Sequence, residues 1–139
     1  MTSQFEELLQ SLGKIFELKL HVDRKNACSI QVYPELTVQL QIDPSQEFLW
    51  IFAKIAEVAP GKFREIILKE ALKANALPDP RPAFFGYIHG LNELAQFQKY
   101  PLAILNGERL SGMIGAFVAQ SSHWQEAIQR GESPAPQGI

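Results

Sequence analysis

Pro60-Gly61-Lys62-Phe63-Arg64-Glu65-Ile66-Ile67-Leu68-Lys69-Glu70-Ala71-Leu72-Lys73-Ala74-Asn75-Ala76-Leu77 is the stretch whose reading decides the fold. Proline suits the first turn of a helix, where it has no N–H to lose and its φ is already set, and the spacing predicts a helix from Gly61 to Leu77. At about 100° per residue, Phe63, Ile66, Ile67, Ala71, Ala74 and Leu77 share one apolar face, interrupted only by Glu70. Leu68 and Leu72 stand a turn apart on a second face with Arg64 and Asn75, leaving a narrow polar sector of Lys62, Glu65, Lys69 and Lys73. A helix on the outside of a monomer needs only one oily side. Burying a leucine is worth roughly 1.5–3 kcal/mol, so leaving both in water forfeits a large part of a small domain's net stability. The second face is expected to meet another subunit.

Working outward, the helix is fed by an apolar strand, Phe48 to Val58, through the break at Ala59-Pro60. That strand is apolar on both sides until Lys54 and Glu57, which makes it central or covered on its outer face. Before it, two runs alternate with period two: Cys28, Ile30 and Val32, then Leu36, Val38, Leu40 and Ile42 across a Pro34-Glu35 turn. Asp43-Pro44-Ser45-Gln46 joins the second run to the third. At the N-terminus, Ser3 and Glu6 form a capping box before Phe5, Leu8, Leu9, Leu12 and Phe16, which predicts a helix from Ser3 to Phe16. A short extended piece, Leu18 to Val22, follows. After the central helix, Pro78 to Pro82 is a stiff connector. Ala83 to Ile88 and Leu94 to Tyr100 read as a hairpin, and Asn106 caps a last helix with Leu110, Ile114, Phe117, Ser121, Trp124 and Ile128 on one stripe. Gly112, Gly115, Ala116 and Ala119 are expected to let that helix pack closely on a sheet. The order is α-β-β-β-α-β-β-α, an α+β fold with helices packed on a twisted antiparallel sheet. Residues 1–130 form a single domain, and 131–139, with Pro134 and Pro136, read as a disordered tail.

Composition narrows the function. With 13 Lys and Arg against 15 Asp and Glu, the net charge is −2, and no basic block is present. Binding to nucleic acid or to an anionic membrane depends on clustered positive charge, so both are disfavoured. A single cysteine, Cys28, permits no intramolecular disulfide and fits a reducing compartment such as the cytoplasm; its place in an apolar alternation marks it as core filler. No apolar run has the length of a membrane span or the form of a signal peptide. His21, His89 and His123 are mutually distant, which argues against a metal site. Asp23, Asp43 and Asp79 all fall in predicted turns. No phosphate loop or nucleophile elbow is present.

Glu70 alone invites a catalytic hypothesis, because a carboxylate on a helix wrapped by a sheet is where some hotdog-fold thioesterases carry their base. The competing expectation is that Glu70 lies at the helix margin, paired with Arg64, Lys73 or a neighbouring strand.

The chain resembles the class I type III secretion chaperones, the CesT-like or SycE-like family. Pro60 to Glu65 running into Leu68, Leu72 and Asn75 is similar to the family's central helix, with its opening Pro, Arg-Glu pair, paired leucines and closing Asn. Phe85-Gly86-Tyr87 with Leu94, Phe97 and Leu102 resembles its glycine-containing hairpin, and Leu110, Phe117 and Trp124 resemble its last helix. Asn106 to Leu110 is similar to chlamydial members in particular. The resemblance covers about Phe5 to Ile128, and the connector Pro78 to Pro82 departs from the family's usual short loop.

The resemblance implies a cofactor-free, metal-free dimer that holds an N-terminal effector segment in extended form, keeps it soluble and presents it to the export machinery. It places the dimer interface at Leu68, Leu72, Phe84, Phe85 and Tyr87; a related chaperone as the second subunit is the alternative to a homodimer. An extended ligand is bound by adding a strand to a sheet edge, with apolar pockets for selectivity. Candidate effector contacts are Phe5, Leu9, Leu12, Leu36, Val38, Trp50 and Phe52. Core packing competes with that role at each, and about two or three of them are expected to be exposed, as a patch that marks an interaction site. An acyl thioesterase using Glu70 and an interaction module for a folded partner stand as the other readings.

Overall fold

The computed structural model describes residues 3–32, 35–78 and 81–134. The elements are α1 (Gln4–Phe16), β1 (Ala27–Val32), β2 (Leu36–Ile42), β3 (Phe48–Glu57), α2 (Lys62–Asn75), β4 (Phe84–Ile88), β5 (Glu93–Pro101) and α3 (Gly107–Gln129), the expected α+β order. Local chemistry sets the boundaries. Ser3 Oγ accepts the Glu6 N–H and caps α1, and Asn106 Oδ1 accepts the Arg109 N–H at 2.8 Å and caps α3. α1 stops where Glu17 turns left-handed and the Leu18 N–H bonds back to the Gly13 carbonyl. Asp43 folds the β2–β3 turn by accepting the Ser45 hydroxyl and the N–H groups of Glu47 and Phe48, and these bonds hold its carboxyl below the usual carboxylate range.

The strands form one antiparallel sheet of five, ordered β1-β2-β3-β5-β4. The strand that is apolar on both sides, β3, is the central one. α2 carries the chain away from β3 so that β4 returns at the far edge and β5 fills the gap. Strand residues from Cys28 to Ala53 on one face meet Phe5, Leu9 and Leu12 of α1 and Leu110, Ile114 and Phe117 of α3. A second cluster joins Ile55, Val58, Phe85 and Leu94 to Ile67 and Ala71 of α2 and to Trp124 and Ile128 of α3. The helices therefore share one face of the sheet. No helix of the described residues is long and apolar enough to cross a membrane.

Several details differ from the pattern reading. Ile66 and Leu77 are exposed, at 47% and 38%, while Leu68 packs partly against the second cluster. Helix α2 sits at the sheet's rim, so only a narrow stripe centred on Ile67 and Ala71 is buried and the pattern alone overestimates its width. Leu18 to Val22 is unpaired, as expected of a connecting piece: Leu20 and Val22 pack on the core, and the Asp23 N–H bonds to the Ala27 carbonyl. Gly112, Gly115, Ala116 and Ala119 face away from the sheet. The close approach is instead at Gly107, where a Cβ would stand 2.8 Å from Ser11 Cβ on α1. Past α3, the Glu132 N–H bonds to the Ala127 carbonyl and Pro134 is buried. Residues 135–139 of the expected tail, Tyr33 and Pro34 of the β1–β2 turn, and Asp79 and Pro80 of the connector lie outside the described residues.

One buried polar side chain ties the layers together. The β3–β5 register shifts between Lys54 and Ala56, and Gln125 of α3 donates from Nε2 to the Ile55 carbonyl and to the Glu35 carbonyl, each at 2.9 Å. Gln125→Leu leaves these acceptors without their donor, a loss of about 1–3 kcal/mol. The expected outcome is a lower urea midpoint with an unchanged slope.

Candidate functional site

Alternation along β3 sends Leu49, Ile51, Ala53 and Ile55 toward the helices and Phe48, Trp50, Phe52 and Lys54 to the opposite face, which carries no helix. Register then assembles a surface there. Phe52 pairs with Phe97 on β5, and Phe97 with Phe84 on β4; one step along, Trp50 pairs with Lys99. The Phe97 ring lies 6.0 Å from that of Phe84 and 6.5 Å from that of Trp50. Cations cover the flanks: the Arg81 guanidinium is 4.3 Å over Phe84, and Lys99 Nζ is 4.1 Å over Phe48 and 5.2 Å over Trp50. Gly86 keeps the surface low beside the aromatics, since a Cβ there would come within 3.3 Å of the Phe97 ring. Toward β1 the same face changes to Ser29, Gln31, Thr37, Gln39 and Gln41. The result is an aromatic platform beside an uncharged polar strip.

Of the seven sequence candidates for effector contact, Phe5, Leu9, Leu12, Leu36 and Val38 are buried in the main core, where they hold α1 to the sheet. Trp50, 36% exposed, and the half-buried Phe52 lie on the open face. Phe48 and Lys99 were not legible as members of this site, and Phe97 entered only through the family's hairpin pattern. Both faces of β3 are apolar in sequence, so nothing in the strand itself says which is covered.

The α2–β4 flank is more mixed. Leu72 is 69% exposed, Leu68 is half-buried, and Phe84 belongs to the open face. Phe85 points the other way, buried with its ring 4.1 Å from that of Trp124. Its side chain belongs to the second core cluster. The Tyr87 hydroxyl accepts from Arg64 at 3.3 Å and faces the Val58 carbonyl and Asn92 Oδ1 at 3.2 and 3.1 Å. Asn75, at the end of α2, bonds to both backbone groups of Phe85.

Glu70 pairs with Lys73 at 3.3 Å at the margin of α2, one of the partners the non-catalytic reading named. Among the described residues, no three His, Cys, Asp or Glu side chains are grouped to hold a metal ion. Burial pushes the Cys28 thiol up, opposed by the His21 backbone N–H, so little nucleophilic thiolate forms there near neutrality.

A five-stranded antiparallel sheet with all its helices on one side and an aromatic surface on the other defines a binding module. The profile of the Tir chaperone protein (CesT) family matches residues 7–125, and the chain belongs to that family. It is a type III secretion chaperone, a class that acts by binding and not by catalysis. Solved structures share its fold. A chain of the HopA1–SchA chaperone–effector complex superposes with a TM-score of 0.72 at 18% identity, over 89% of this chain and 94% of that one. The ExoT–SpcS complex from Pseudomonas aeruginosa gives 0.67 at 18% identity, over 88% and 97%. The Yersinia pestis type III secretion chaperone SycH, solved with a stable fragment of YscM2, gives 0.70 at 11%, over 85% and 97%. No curated protein sequence matches the chain significantly.

Proposed function

We propose that the chain binds an extended segment of a secreted effector across the open face of its sheet, keeps that segment soluble in the bacterial cytoplasm, and presents it to the secretion apparatus as a homodimer. The observation that carries the site is the platform of Trp50, Phe52, Phe97 and Phe84, apolar surface that the chain's own helices leave uncovered. The structural relatives supply the partner class, since the complexes of SchA with HopA1 and of SpcS with ExoT pair a similar chain with a second protein. An aromatic platform spanning three strands suits a chain laid over it, with side chains at alternate positions against the rings. Ordering such a ligand costs roughly 2–5 kcal/mol of the gross interaction energy, so the contact is spread over a wide surface and not confined to a pocket.

The dimer contact follows from α2 and its flank. Leu72, with Leu68 one turn away on the same helix, is the apolar surface that a second subunit buries. A homodimer is the simplest arrangement because a two-fold axis lets the same patch serve both sides. Purification with a secreted substrate, followed by limited proteolysis, tests the proposal: one linear stretch of the substrate is protected. Protection of a compact folded domain instead favours the module for a folded partner. Turnover of acyl thioesters abolished by Glu70→Gln returns the thioesterase.

A further inference from the structure

Asn75 ends α2 with its side chain against the outer edge of β4. Its Oδ1 accepts the Phe85 N–H at 2.8 Å, and its Nδ2 donates to the Phe85 carbonyl at 3.0 Å. β4 is an edge strand, and in an antiparallel ladder alternate residues turn both backbone groups away from the neighbouring strand. Phe85 is such a residue. Unpaired groups of this kind are a template for a strand from another chain. A primary amide carries the donor and acceptor needed to satisfy them, so Asn75 makes the pair of hydrogen bonds that a further strand would make. The clamp is held from behind: the Arg81 guanidinium donates to the Asn75 carbonyl while it stacks over Phe84, the residue before Phe85.

We infer that Asn75 is a sheet-edge cap, which closes β4 to pairing with the β4 of a second copy and so stops assembly from growing edge to edge. The two-fold antiparallel pairing of identical edges is the self-complementary alternative that it excludes. This does not rest on effector binding, and it leaves the β1 edge unaffected.

Two substitutions separate a cap from a merely stabilising contact. N75A opens both Phe85 groups. N75D keeps an acceptor for the Phe85 N–H, loses the donor, and places a negative charge on each of two approaching edges. The full chain is compared by sedimentation velocity over a concentration series and by amide hydrogen exchange. N75A is expected to form species larger than the wild type, growing with concentration, and in dilute solution its Phe85 amide exchanges at least about tenfold faster. N75D is expected to sediment as the wild type does, with Phe85 still protected. Enlargement of both variants alike, or of neither, overturns the inference. Loss of the fold in N75A also overturns it, because Asn75 would then be a folding contact and not a cap.

Discussion

Leu72→Glu is expected to convert the proposed dimer to a folded monomer. Leu72 is 69% exposed in the single chain, so the substitution removes little that the monomer uses. In a two-fold dimer each change counts twice. If each leucine contributes about 1.5 kcal/mol on burial, the pair supplies about 3 kcal/mol, which is roughly two orders of magnitude in the dimer dissociation constant. Two carboxylates forced into the same contact add a desolvation penalty of the same sign. Leu68→Glu is a poorer probe, because Leu68 packs against the cluster of Ile67, Ala71 and Trp124 and its loss also weakens the monomer. Sedimentation equilibrium, with thermal melting as the control for folding, distinguishes the outcomes. An unchanged dimer for Leu72→Glu would put the subunit contact elsewhere.

The second large effect is expected at the platform. Trp50→Ala and Phe97→Ala each remove a ring from the surface proposed to receive the effector segment. A buried aromatic anchor at an interface is worth about 2 kcal/mol or more, so each change weakens binding roughly 30-fold in calorimetric titration. The rings are neighbours, 6.5 Å apart, so the double variant should lose less than the sum of the single effects. Trp50 also provides its own signal. The other tryptophan, Trp124, is buried beside Phe85, so an emission change on binding belongs to Trp50 and is absent in Trp50→Phe. Equal affinity for wild type and both alanine variants would remove the open face from the binding site.

Much of this architecture was legible because its signals are local. The capping residues Ser3 and Asn106, the period-two runs of β1 and β2, and the doubly apolar β3 each identify an element from a few adjacent side chains. The faces were harder to read. Ile66 matches the apolar spacing of α2 as well as Ile67 does, yet one is in water and the other at full burial, because the width of the buried stripe depends on how far α2 overhangs the sheet. The site suffered from the same blindness. Phe5 and Leu36 carry the same apolar character as Trp50, and only the placement of all three helices on one face makes Trp50 a surface residue and the others core. Asn75 was visible as the closing residue of a family pattern, but its bonds to Phe85 join positions ten residues apart across a connector that no periodicity spans. Gln125 gave no signal, since one carbonyl it serves, Ile55, lies at a register shift 70 residues earlier and the other, Glu35, precedes β2 by one residue, 90 residues earlier.

The most direct test of the binding reading is amide hydrogen exchange on the purified complex with a secreted substrate and on each component alone. Slowed exchange is expected in the strands beneath Trp50, Phe97 and Phe84, together with protection of one continuous substrate stretch that exchanges freely when unbound. Protection confined to the α1 and α3 side, with the open face unchanged, would contradict it.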